Sequence, residues 1–148
     1  MGDRIALLRG GRLVQAGRAE ELYLRPASLF AAGFFSELNV FEARVRSGIA
    51  DTPAGRVEAP GHEEGAGVTV AVRTSGFDVS ETAGETQARI LSRRYLGVVE
   101  LLELAVSGAE MPVRARVRSG ALSSQARDIW VTPRKSDVLV FESQRENA

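Results

Sequence analysis

The chain contains no cysteine, which excludes a disulfide framework, thiol catalysis and Cys-ligated zinc or iron–sulfur centres. Lys135 is the only lysine and His62 the only histidine. The lone lysine sits in Pro133-Arg134-Lys135-Ser136, without the glycines of the G-x-x-x-x-G-K-[ST] loop that converges backbone N–H groups and a lysine on nucleotide phosphates. His62 stands in Gly61-His62-Glu63-Glu64-Gly65, where flanking glycines favour a solvated turn over a metal centre and neighbouring residues rarely aim at one ion. It is also the only histidine base for Ser119, Ser123 or Ser124, so a hydrolase triad has little to stand on. No run approaches the roughly 18 uninterrupted apolar residues of a membrane-spanning helix, and the opening MGDRIALLRGG lacks the apolar centre of a secretory signal. A cytoplasmic protein is expected. The 19 basic and 19 acidic residues cancel, so no summed field draws the chain to nucleic acid.

What remains is enough for a folded core: 148 residues with 44% hydrophobic side chains. In DRIALLRGGRLVQAG (Asp3 to Gly17) two short apolar runs flank Arg9-Gly10-Gly11-Arg12, the pattern of a glycine-turned hairpin. Ala19-Glu20-Glu21-Leu22-Tyr23-Leu24 carries acid at its start and ends at Arg25-Pro26, which suits a short helix and its dipole. Ser28 is placed to cap a second helix with Leu29, Phe30, Phe34 and Phe35 on its apolar face. Beyond Asn39 the texture becomes short β-branched runs between Gly, Pro, Asp and Ser, an all-β signature. Strands are expected at 39–46, 55–58, 68–72, 87–95, 98–106, 112–118, 129–131 and 138–141. The alternation Val113-Arg114-Ala115-Arg116-Val117-Arg118 predicts one core face and one face of three guanidiniums. With Arg93-Arg94-Tyr95 this stripe has the charge of an oligonucleotide-binding face but not its interleaved aromatics, so a solvated outer face accounts for it.

Taken in order, DRIALLRGGRLVQAG, AEELYLRPASLFAAGFF and SELNVFEARV resemble the C-terminal end of the ATP-binding subunit of a bacterial ABC importer. The stretches Val70–Arg73, Ala88–Glu100 (ARILSRRYLGVVE) and Ile129–Phe141 (IWVTPRKSDVLVF) are similar, more loosely, to strands of the TOBE domain, the OB-like β-domain of that family. Two departures stand out. Arg18 occupies the place of a capping Thr or Ser, and Thr74-Ser75 replaces Pro-Glu after the strand.

The resemblance implies a mainly β fold: residues 1–37 as the C-terminal remnant of a nucleotide-binding domain, a hairpin and two short helices, and residues 38–148 as a TOBE barrel or sandwich. It implies that an ATPase core precedes Asp3 and carries the ATP, the Mg and every catalytic residue, with none in this stretch. The function implied is regulatory and dimerising, with Phe34, Phe35, Leu38, Val40 and Phe41 as the contact residues. Implied partners are a second copy, the ATPase core and the membrane permease subunits, with no nucleic acid and a peripheral location on the inner membrane face. S-E-x-N-V-F-E, T-P-x-G and A-P-G-x-x-E-G look most like the iron(III) and polyamine branches. The alternative is a stand-alone module that holds a small oxyanion such as molybdate through Arg73, Arg93 or Arg94.

Overall fold

The computed structural model describes residues 4–143. Their contacts divide the chain into two compact units, Met1–Leu38 and Asn39–Ala148.

The first unit opens with β1 (Arg4–Arg9) and β2 (Arg12–Arg18), an antiparallel pair. Gly10 and Gly11 join them at φ 58° and 80°, a turn that requires two left-handed residues and therefore glycine. Helix α1 (Ala19–Leu24) follows directly. Arg18 caps it without a side-chain bond; its backbone N–H donates to Glu21 Oε1 at 3.2 Å, so the acid three residues on satisfies the N-cap amide, the other half of a capping box. Ser28 Oγ accepts from Ala31 N–H and starts α2 (Leu29–Phe35), as the sequence predicts. The buried side of α2 differs from the expectation. Ala31 and Ala32 are buried, Phe34 is 62% exposed and packs edge-to-face on Phe35, and Phe30 lies under the Arg9 guanidinium. Small side chains let a helix come close to its neighbour, which bulky rings cannot. Gln15 ties the unit together, donating to the Arg25 carbonyl and accepting from Ala27 N–H.

The second unit is mainly β, a nearly closed barrel of two five-stranded sheets. One runs β10 (Val113–Arg118), β9 (Val99–Ala105), β8 (Thr86–Tyr95), β11 (Asp128–Pro133), β7 (Phe77–Ser80). The other runs β12 (Val138–Glu142), β6 (Gly67–Arg73), β3 (Leu38–Arg46), β4 (Ile49–Thr52), β5 (Gly55–Glu58). Inward side chains of both sheets meet in one core, with Val45, Val68, Val70 and Val72 from one and Leu102, Leu104, Val113, Ile129 and Val131 from the other. The alternation read in β10 holds: Val113, Ala115 and Val117 are buried and the arginines between them exposed.

Two strands escape the sequence pattern. Ile49-Ala50-Asp51-Thr52 and Phe77-Asp78-Val79-Ser80 each carry an aspartate that disfavours β structure locally, and pairing supplies what propensity withholds.

The free edge of β10 is sealed by a side chain. Asn39 Nδ2 donates to the Arg114 carbonyl and Asn39 Oδ1 accepts from Arg114 N–H, both at 2.8 Å, in imitation of a backbone ladder. Arg116 N–H reaches the Thr74 carbonyl at 2.8 Å on the same edge. Asn39→Ala leaves the Arg114 N–H and C=O without this partner, and a loss of about 2 kcal/mol is expected from the usual cost of orphaned polar groups. Urea unfolding measures it as a lower midpoint at unchanged slope, and an unmoved midpoint contradicts the assignment.

Candidate functional site

Three regions carry the residues singled out from sequence, and each is built by a different local rule. The apolar set at the junction belongs to two units. In the first, Phe34 is exposed and Phe35 and Leu38 half-buried. In the second, alternation along β3 sends Phe41 against the β core and leaves Val40 47% exposed. Phe41 is thus partly a core residue and Val40 a surface one.

The arginines proposed for an anion divide sharply by environment. Arg73, the last residue of β6, is 3% exposed and ion-paired with Asp137 at 3.4 Å. Asp137 also faces Arg134 Nε at 3.5 Å, and Arg134 donates to Asp78 at 2.7 Å and to the Ser75 carbonyl. This network spans the two places where the chain passes between sheets, β6 to β7 and β11 to β12. It needs Gly76, where a Cβ would lie 2.4 Å from Asp137 Cβ. Arg93, on the inward side of β8, forms a two-point pair with Glu100 on β9, Nε to Oε1 at 2.9 Å and Nη2 to Oε2 at 3.0 Å, and also donates to the Ser123 carbonyl. The hydrogen bond from Arg93 is the main cause holding the Glu100 carboxyl below its ordinary range, against the opposing effect of burial. The same bond raises the Arg93 pKa. Arg94, one residue on, points outward and is exposed.

The third region surrounds His62. An open groove of about 870 Å³ is lined by Glu42, Arg44, His62, Glu63, Glu142 and Ser143. Glu42 is already engaged, accepting from Thr69 Oγ1 and Ser143 Oγ. Glu64 turns away to accept from the backbone N–H of Ser47, a residue held at φ 53° in the β3–β4 turn. Among the described residues no three His, Asp or Glu side chains are gathered as a metal site would require. Lys135 pairs with Glu58 at 2.7 Å, both exposed.

The residues that sequence reasoning passed over are Asn39, Asp137 and Arg134. All act across long sequence separations, and the signal available for them was a polar residue at a strand start and the single Gly76 beside the β6–β7 turn.

No family model matches the chain. Curated relatives do. The Fe(3+) ions import ATP-binding protein of Streptomyces coelicolor is 34% identical over 109 residues, 74% of this chain and 31% of that one. The protein of the same description from Serratia marcescens is 31% identical over 122 residues, covering 80% and 35%. The sulfate/thiosulfate import ATP-binding protein of Bacillus cereus is 30% identical over 151 residues, covering 96% and 42%. The chain therefore spans about a third to two fifths of the length of these relatives. Among solved structures, the cytoplasmic molybdate-binding protein ModG with molybdate bound aligns with a TM-score of 0.54 at 14% identity, covering 71% of this chain and 96% of that one. That likeness is one of fold.

The Arg93–Glu100 pair carries a pH signature. In the unfolded chain Glu100 titrates near the usual carboxylate value; in the folded chain it does so lower. Its contribution is therefore complete above the unfolded value and disappears as pH falls through the depressed folded value. Glu100→Gln is expected to lower stability at neutral pH by roughly 1.5–3 kcal/mol, the range for a charge-assisted bond. The gap from wild type should narrow as the solution is acidified below the ordinary Glu range. A gap constant with pH in denaturant titrations contradicts this.

Proposed function

Since the chain belongs with the ATP-binding subunits of ABC importers and matches their C-terminal region, we propose that it is the regulatory and dimerising end of such a subunit. The single observation that carries the proposal is the alignment of most of the chain with about a third of each relative. On this reading residues 1–37 complete a nucleotide-binding domain and residues 38–148 form its TOBE domain. The ATPase core of the same subunit supplies ATP hydrolysis with ATP and Mg, and this region contributes no catalytic group. The exposed Leu8, Leu13, Tyr23, Leu24 and Phe34 of the first unit support the reading, since a unit this small with so much apolar surface is suited to packing on a larger body.

The physical role is that of a tether. ATP binding closes a pair of ATPase domains and hydrolysis reopens them, so a second interface that ignores nucleotide keeps the pair at high effective concentration through the cycle. A second copy of the chain is the partner, with Phe34, Phe35, Leu38, Val40 and Phe41 at the contact. The membrane permease subunits hold the assembly on the inner face of the membrane, where the whole importer takes up its cargo. Iron(III) is the cargo we favour, because Fe(3+) import proteins of three organisms are among the relatives; sulfate and polyamine relatives define the competing assignments.

Light scattering tests the tether. The chain is expected at twice its 15.9 kDa, and Phe35→Glu or Val40→Glu should return it to monomer with an unchanged circular dichroism spectrum. Phe41→Glu should do the same at some cost in stability, because Phe41 also packs on the core. A mass that none of these substitutions alters rejects the contact.

A second reading has one observation in its favour, the fold likeness to a molybdate-binding protein. On that reading Arg73, Arg93 or Arg94 would hold a small oxyanion, Arg73 only if released by Asp137 and Arg93 only if released by Glu100. Calorimetry with molybdate, tungstate and sulfate separates the readings: saturable heat favours the oxyanion module, and a flat trace favours the tether.

A further inference from the structure

The outer face of β8, β9 and β10 holds a group of charges that the tether does not use. Register places Arg94 opposite Leu101 and Leu101 opposite Arg116, and Arg118 opposite Val99. The three arginines are exposed, Leu101 and Val99 half-buried between them. Their guanidinium groups have no ion pair or side-chain hydrogen bond among the described residues. Elsewhere on the same sheet the pattern is different: Arg93 is paired with Glu100, Arg89 with Asp128 and Arg134 with Asp78. In a chain whose charges cancel overall, three neighbouring unpaired cations around an apolar centre repel one another unless an anion comes to them.

We infer that this face docks an extended acidic segment of a partner protein. Spacing and composition select that occupant. Arg116 and Arg118 are two residues apart on one strand face, about 6.6 Å at about 3.3 Å per residue, and an extended peptide presents alternate side chains at the same interval. Acidic residues at alternate positions therefore meet Arg116 and Arg118 in step, Arg94 closes the far side, and the side chains between them lie toward Leu101 and Val99. Single-stranded nucleic acid matches the charge but requires ring stacking, and the face between the arginines is aliphatic.

The test uses the 148-residue chain and a synthetic peptide with glutamate at alternate positions and valine between, followed by fluorescence anisotropy. Saturable binding at low salt is expected, weakened at least about tenfold near 0.3 M salt, where exposed charge pairs are screened. R94Q/R116Q/R118Q should weaken it at least about tenfold. The control R12Q/R46Q/R127Q removes the same charge from exposed positions elsewhere and should change affinity less than about twofold. Equal loss in the control, no loss in the triple variant, or no binding by wild type overturns the proposal. So does tighter binding to oligothymidylate or to phosphatidylserine vesicles than to the peptide, which would assign the face to nucleic acid or to a lipid surface.

Discussion

The β-unit depends on how the exposed edge of β10 is closed. Two sheets stacked face to face leave edges whose N–H and C=O groups need partners, and a barrel solves this only if every edge finds one. Here strand pairing stops at β10, and the Asn39 carboxamide takes over, matching one donor and one acceptor on Arg114. A carboxamide is the smallest side chain that carries both groups in the geometry of a peptide. The bond joins residues 75 apart in sequence, so it fixes the relation of the two sheets in a way that no local turn can. Asn39 is also the first residue of the second unit: the unit is pinned where its chain begins.

A second constraint sits where the chain crosses between sheets. Arg73, Asp137, Arg134 and Asp78 alternate in charge across the two crossings, so Asp137 lies between two arginines and Arg134 between two aspartates. Taking Arg73 out of water carries a large desolvation cost, and such pairs return little net stability relative to apolar packing. What they define is position: Asp137 can approach only because Gly76 has no side chain. The unusual Thr74-Ser75 after β6 belongs to this arrangement, the Thr74 carbonyl accepting from Arg116 and the Ser75 carbonyl from Arg134.

Elements governed by local physics could be read from the sequence. The Gly10-Gly11 turn, the Ser28 cap and the Val113–Arg118 alternation each follow from neighbours within a few residues, and the structure contains all three. Elements governed by distant partners could not. The strands at Ile49–Thr52 and Phe77–Ser80 exist because β5 and β11 pair with them, and nothing in four residues with an aspartate announces that. Helix α2 shows an intermediate case. Its span was readable from its cap, but its buried side was not, because an apolar face of four large residues looks like core until the alanines are found beneath it.

The arginines show how far a motif can carry a functional assignment. Arg93 and Arg94 are neighbours in sequence, equal in charge and equally available to an anion on paper. Strand alternation sends them to opposite faces, where Arg93 meets the buried Glu100 and Arg94 meets solvent beside Leu101. An anion that recruits Arg93 must displace a two-point carboxylate already in hydrogen-bond geometry, whereas one that recruits Arg94, Arg116 and Arg118 displaces only water. Competition for the same cation therefore favours the outer face over the inward arginines for any weakly bound anionic partner. The inward Arg93 is spent on joining β8 to β9 within one sheet, which leaves the arginines that alternation turns outward as the ones open to a negative partner.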